Sequence, residues 1–207
     1  PAAEDFFEVY AVRDRIDSTG VKFVLSSSMF RDSELNSGSL TSSFYSDVYD
    51  NSNWNLSVRV VPSKYPMATS DERTIIDQDN YELQFFGVRN VGDYLHDEFS
   101  LTASVSGSRA LGFATSPKRP FVGASRENFT GSLRFSSDVK IGSLRVWSDY
   151  INDQSLRAHA IDRDNYGVKT PINNAFVFQT GSGSPSGSLD MFIPRVETLA
   201  LNWNFSN

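Results

Sequence analysis

His96 and His159 are the only two histidines in 207 residues, and there is no cysteine. Thiol nucleophiles, thiolate zinc sites and disulfide frameworks are therefore excluded. The two histidines lie far apart in sequence, so one chain cannot build a histidine-rich metal site. Serine hydrolysis needs a serine activated by a histidine base and a positioned acid. Serines are abundant, but no Gly-x-Ser-x-Gly elbow frames any of them. His96 falls in a polar stretch expected to be a loop, and His159 falls on an expected helix. Glycoside hydrolysis needs two carboxyls about 5–10 Å apart across the scissile bond. Glu82, Glu127 and Glu197 stand isolated, and the acidic clusters fall in expected loops. These patterns point away from an enzyme.

Hard-cation chemistry has a clearer foothold. Asp162, Asp164 and Asn165, followed by Gly167, place oxygen ligands at close spacing, and calcium is the one cofactor they admit. An EF-hand loop also has a polar fifth position and a closing glutamate, and it joins two helices. Those features are missing, so the expected reading is a helix C-terminal turn with no cofactor and with Gly167 at positive φ. Asp71, Glu72, Asp77 and Asp79 lie in a long polar connection over 62–79 and read as a solvated acidic face.

Charge narrows the partner classes. The net charge is −6, which gives no overall basic footprint for nucleic acid. Lys118, Arg119, Arg126 and Arg134 form one local basic cluster. Phe121 and Phe129 interleave with it, but their alternation aims the rings at a core rather than at bases. No 18-residue apolar run exists for membrane insertion, and the first residues lack the basic start and apolar run of a secretory signal. The first residue is Pro1, from which a processed or partial polypeptide is expected.

Strand signals must position whatever chemistry exists. Residues 54–60, 99–105 and 199–205 alternate apolar and polar side chains, so one face of each strand is expected to be buried and the other wet. Shorter strands are expected at 6–12, 21–25, 43–49, 81–88, 110–114, 120–124, 129–135, 139–147 and 175–178. Asp17 to Gly20, Asn36 to Gly38, Asn90 to Asp93 and Ser106-Gly107 supply turn residues. One helix is expected, capped by Asn152 over 153–161. Residues 181–188 read Gly-Ser-Gly-Ser-Pro-Ser-Gly-Ser, a flexible stretch. The expected organisation is one antiparallel β-sandwich over 1–180 and a loop or linker over 181–190. Residues 191–207 then form a strand that returns to the sandwich or opens a following domain. With 13% aromatic residues, the chain has the apolar material for an ordered core.

Gly142, Arg145 and Trp147 sit in a glycine-led alternating strand followed by a capped short helix and Asp164-Asn165-Tyr166-Gly167. This pattern resembles the closing part of a laminin G-like, or concanavalin A-like, jelly-roll module, over roughly residues 40–167. The cysteine-free, serine- and asparagine-rich style is similar to virion structural proteins of tailed bacteriophages. The resemblance implies an all-β jelly roll located in a virion. Other virion proteins are its implied partners, an oligomer its implied state, and host surface glycan a further ligand. A carbohydrate-binding module of a larger enzyme and a capsid decoration protein are the alternatives. Sugars stack on exposed rings, and Tyr45, Tyr65, Tyr94 and Tyr150 are the loop or edge aromatics for that role.

Overall fold

The computed structural model describes residues 6–30, 38–50, 52–62, 80–126, 131–137, 139–148, 150–162, 164, 178–180, 192–194 and 199–205. The protein is all-β, with antiparallel sheets and two short helices. It divides into two compact units, residues 1–119 and 120–207. That division falls inside the span expected as one sandwich. The Gly/Ser stretch 181–190 and nearly all of the 62–79 connection lie outside the described residues.

In the first unit, β1 (Phe7–Arg13), β2 (Val21–Ser27) and β3 (Ser39–Tyr45) form one antiparallel sheet in that order. A single 3-10 turn, Ser28–Phe30, follows β2. A second sheet runs β4 (Asn53–Pro62), β5 (Asn80–Val91), β6 (Tyr94–Ser106). Gly92, at φ 62°, makes the tight β5–β6 hairpin that Asn90 to Asp93 signalled. Alternation explains β2 and β6. Val21, Phe23 and Leu25 are buried while Lys22 is exposed, and Phe99, Ala103 and Val105 are buried while Ser100, Thr102 and Ser104 are exposed.

The two sheets share one core. Phe23 of β2 lies 4.6 Å from Trp54 of β4 and 5.7 Å from Phe99 of β6, between ring centroids. Phe85 of β5 meets Phe99 edge-on at 5.0 Å, and Tyr45 of β3 meets Trp54 edge-on at 4.9 Å. Such pairs add about 0.5–1.5 kcal/mol each beyond area burial. Gly87 makes this packing possible. It pairs with Leu56 on one side and Phe99 on the other. A Cβ at Gly87 would lie 2.3 Å from Phe99 Cε1 and 2.9 Å from Leu56 Cδ2, so the ring occupies the space of the missing side chain.

Several local expectations are corrected. Residues 110–114 form no strand; they belong to α1 (Gly107–Thr115), which also absorbs the turn expected at Ser106-Gly107. The run Ala-Leu-Gly-Phe-Ala is too short for periodicity to separate helix from strand. In the helix, Ala110 is buried and Phe113 half-buried, while Leu111 faces solvent. Lys118 closes this helix. Its ammonium donates to the carbonyls of Phe113 and Ser116, and a cation there complements the helix C-terminus. β3 begins at Ser39 rather than 43, because buried Ser42 belongs to the core side; its Oγ accepts the Phe23 N–H at 2.9 Å. His96 lies on β6, exposed, and not in a loop. The second face of β4, where Asn55, Ser57 and Arg59 are half-buried, is not open to solvent as alternation implied, and the same face of β5 is covered as well. Phe86, Val88 and Asn90 are buried there, and β5 reads Phe85-Phe86-Gly87-Val88, the unbroken apolar run of a strand covered on both faces.

In the second unit, β7 (Ala124–Arg126) pairs with β8 (Leu133–Ser136), and β10 (Phe178–Thr180) pairs with β11 (Phe192–Pro194). β9 (Ser143–Trp147) pairs with β12 (Leu199–Asn204), so the last alternating segment returns onto this chain. Between β9 and β10 lies α2 (Asp153–Ile161), with Asn152 Oδ1 accepting the Ser155 N–H at 2.8 Å, as the sequence predicts.

Replacing Gly87 by alanine is expected to destabilise the first unit by about 1–3 kcal/mol, read from the denaturant midpoint. Adding Phe99→Leu is expected to return part of that loss relative to the sum of the single changes. An unchanged midpoint for Gly87→Ala would contradict the Phe99–Gly87 packing.

Candidate functional site

The hairpin end of the first unit gathers one guanidinium and two carboxylates. Arg89 is the last inward-facing residue of β5 before the turn, and its side chain is 16% exposed. Its Nε donates to Ser52 Oγ at 3.1 Å, its Nη1 to Asp97 Oδ2 at 3.0 Å, and its Nη2 to Asp50 Oδ2. Asp50 Oδ1 also accepts the Ser52 N–H at 2.9 Å. The Ser52 hydroxyl and backbone N–H, followed by the Arg89 guanidinium, hold the Asp50 carboxyl down at about 2. The guanidinium bridges two carboxylates, which leaves the cluster one negative charge in excess, and each of its three nitrogens donates a hydrogen bond. This cluster clamps the segment after β3 to the β5–β6 hairpin. Asp50 stays ionised and Arg89 stays protonated, so the pair is poorly suited to passing protons.

Tyr94 stands just beyond the clamp as the first residue of β6, 75% exposed. Its ring is free for a flat apolar ligand face, with Val91 and Leu95 exposed beside it. Tyr45 is placed differently. Its ring is half-buried in the aromatic core, and its hydroxyl donates to the Glu98 carbonyl at 3.3 Å. Burial comes first among the causes that raise its phenol above the ordinary tyrosine value. Tyr45 thus presents no open face for stacking. Tyr150 is half-buried before α2 in the second unit, and Tyr65 lies outside the described residues. Within the first unit, Tyr45 and Tyr94 thus share no open platform.

Asp162 is the residue that ends α2. Its Oδ1 accepts the Asp164 N–H at 2.9 Å, which closes a local turn, and Asp164 is exposed. Asn165 and Gly167 lie outside the described residues. No group of three or more acidic or histidine side chains positioned for a metal occurs among the described residues. His159 is buried on α2, its ring stacked on Trp147 of β9 at 5.4 Å and 14°. The pair docks the helix on the β9–β12 sheet through an aromatic face.

Sequence reasoning missed two features. The Arg89 clamp joins residues distant in sequence, and its one readable signal is a charge interrupting the apolar run of β5. The other is the outer edge of β1. There Phe7, Val9 and Val12 are 43%, 37% and 48% exposed. Searches of protein-family models, curated proteins and solved structures give no match to this chain.

A depressed carboxyl contributes stability that is present above its unfolded value of about 3.8 and is lost as pH falls towards its folded value of about 2. The unfolding midpoint is therefore expected to drop between pH 4 and pH 2, and Asp50→Asn is expected to flatten that part of the profile. Identical profiles for the two proteins would contradict the clamp.

Proposed function

We propose that this chain is a non-enzymatic structural component of a tailed-bacteriophage virion, associated with the tail, baseplate or fibre and acting by protein–protein packing. The observation that carries the reading is the β1 edge. Phe7, Val9 and Val12 expose apolar surface along one strand, and Leu111 of α1 adds more at 62% exposure. Phe7 and Val9 lie on one face of the strand and Val12 on the other, so the outer strand carries exposed apolar side chains on both of its faces, where an added strand can cover them. The laminin G-like sequence pattern around Gly142, Arg145 and Trp147 and the all-β architecture support a scaffold module, and that fold hosts scaffolds as well as lectins.

Contact with host surface glycans is a second action of the same component, favoured by the exposed ring of Tyr94 at the hairpin. Density-gradient-purified particles of the phage encoding this chain are expected to contain it by mass spectrometry. Its absence from them would overturn the virion assignment. A glycan array that stays blank, with and without calcium, would remove the glycan action alone.

A further inference from the structure

We infer that β1 is a self-association edge, and that its occupant is β1 of a second copy of this chain, paired antiparallel about a twofold axis through Tyr10. The inference rests on the packing function proposed above and names its partner. Among the described residues, β1 is the outer strand of the β1-β2-β3 sheet. The Ser28 N–H donates to the Phe6 carbonyl at 3.1 Å, so residue 6 turns its backbone groups towards β2. In an antiparallel ladder these directions alternate. Glu8, Tyr10 and Val12 therefore bond β2 in the observed register, opposite Ser26, Val24 and Lys22. The N–H and C=O groups of Phe7, Val9, Ala11 and Arg13 point outward, away from β2.

That outward set is self-complementary. With Tyr10 on the axis, Phe7 faces Arg13 of the second copy and Val9 faces its Ala11. Every outward-pointing residue then meets another outward-pointing residue, as a hydrogen-bonded antiparallel pair requires. The full seven-residue strand is used. Charge agrees with this register. The only charged residues of the strand are Glu8 and Arg13, and each meets an uncharged side chain, Val12 and Phe7 respectively, so no like charges oppose one another. Tyr10 meets its own copy at a non-hydrogen-bonded position, where side chains approach most closely. Phe7 and Val9 project on the same side of the sheet as Phe23 and Leu25 of the core, opposite which their neighbours pair. Adding a strand covers the apolar area they now expose. Isologous contacts of this kind close at two copies.

The full chain is therefore expected to sediment as a dimer in the micromolar range. Val9→Pro removes an outward N–H and leaves the β1–β2 bonds intact, and Val9→Lys places a charge on the edge. Both variants are expected to sediment as monomers with unchanged circular dichroism. Because the chain has no cysteine, a single Tyr10→Cys change is expected to give a disulfide-linked dimer under mild oxidation. Lys22→Cys, on the exposed side of β2, is expected to give none. A monomeric wild-type chain would overturn the inference, as would a dimer that survives both Val9 changes or equal cross-linking at positions 10 and 22. A monomer that is still found in purified particles would refute the twofold contact and leave the virion reading standing.

Discussion

The seating of the Phe99 ring over Gly87 is the contact on which the first unit depends. A central strand without a side chain at that point lets the β6 aromatic lie across β5 against Phe85 and reach Phe23 on the opposite sheet. Without that space the ring must move, and close-packed interiors absorb such shifts poorly. Tyr45 and Trp54 complete the same cluster. One aromatic group thus ties β2 and β3 to β4, β5 and β6.

This core decides where recognition can occur. Tyr45 is drawn inward and its hydroxyl is tied to the Glu98 carbonyl, so it is lost as an open ligand platform. Arg89 sits at the end of the core with two carboxylates, and its charge is spent on holding the hairpin. Tyr94 beyond the clamp and the side chains of Phe7 and Val9 on β1 are among the apolar groups that stay exposed at the periphery of the first unit. The Arg89 cluster is hydrogen-bonded within the first unit, while Phe7 and Val9 keep exposed apolar surface at the outer strand of the β1-β2-β3 sheet.

The all-β class was legible because strict alternation over 99–105, now part of β6, is the direct imprint of a half-buried antiparallel strand. The capped helix α2 was legible because Asn152 and Asp153 announce it locally. What was not legible depended on tertiary contacts. Ser42 is in the core because its hydroxyl takes a backbone hydrogen bond, and a serine carries no hydrophobic signal. α1 was hidden because five small and apolar residues fit either period. The covered second face of β4 and β5 was hidden because Asn55, Ser57 and Arg59 read as polar. Of the candidate site residues, Tyr94 alone emerges as an exposed aromatic at the hairpin. Its distinction from Tyr45 lay in packing partners about fifty residues away, such as Glu98.

The claim that one aromatic cluster unites both sheets is tested most directly by native-state hydrogen exchange on the intact chain. The account predicts that core amides of β2, β5 and β6 exchange through a single cooperative opening with one common free energy, and that Phe99→Ala lowers all of them together. An opening that releases β2 and β3 while β5 and β6 stay protected would contradict it.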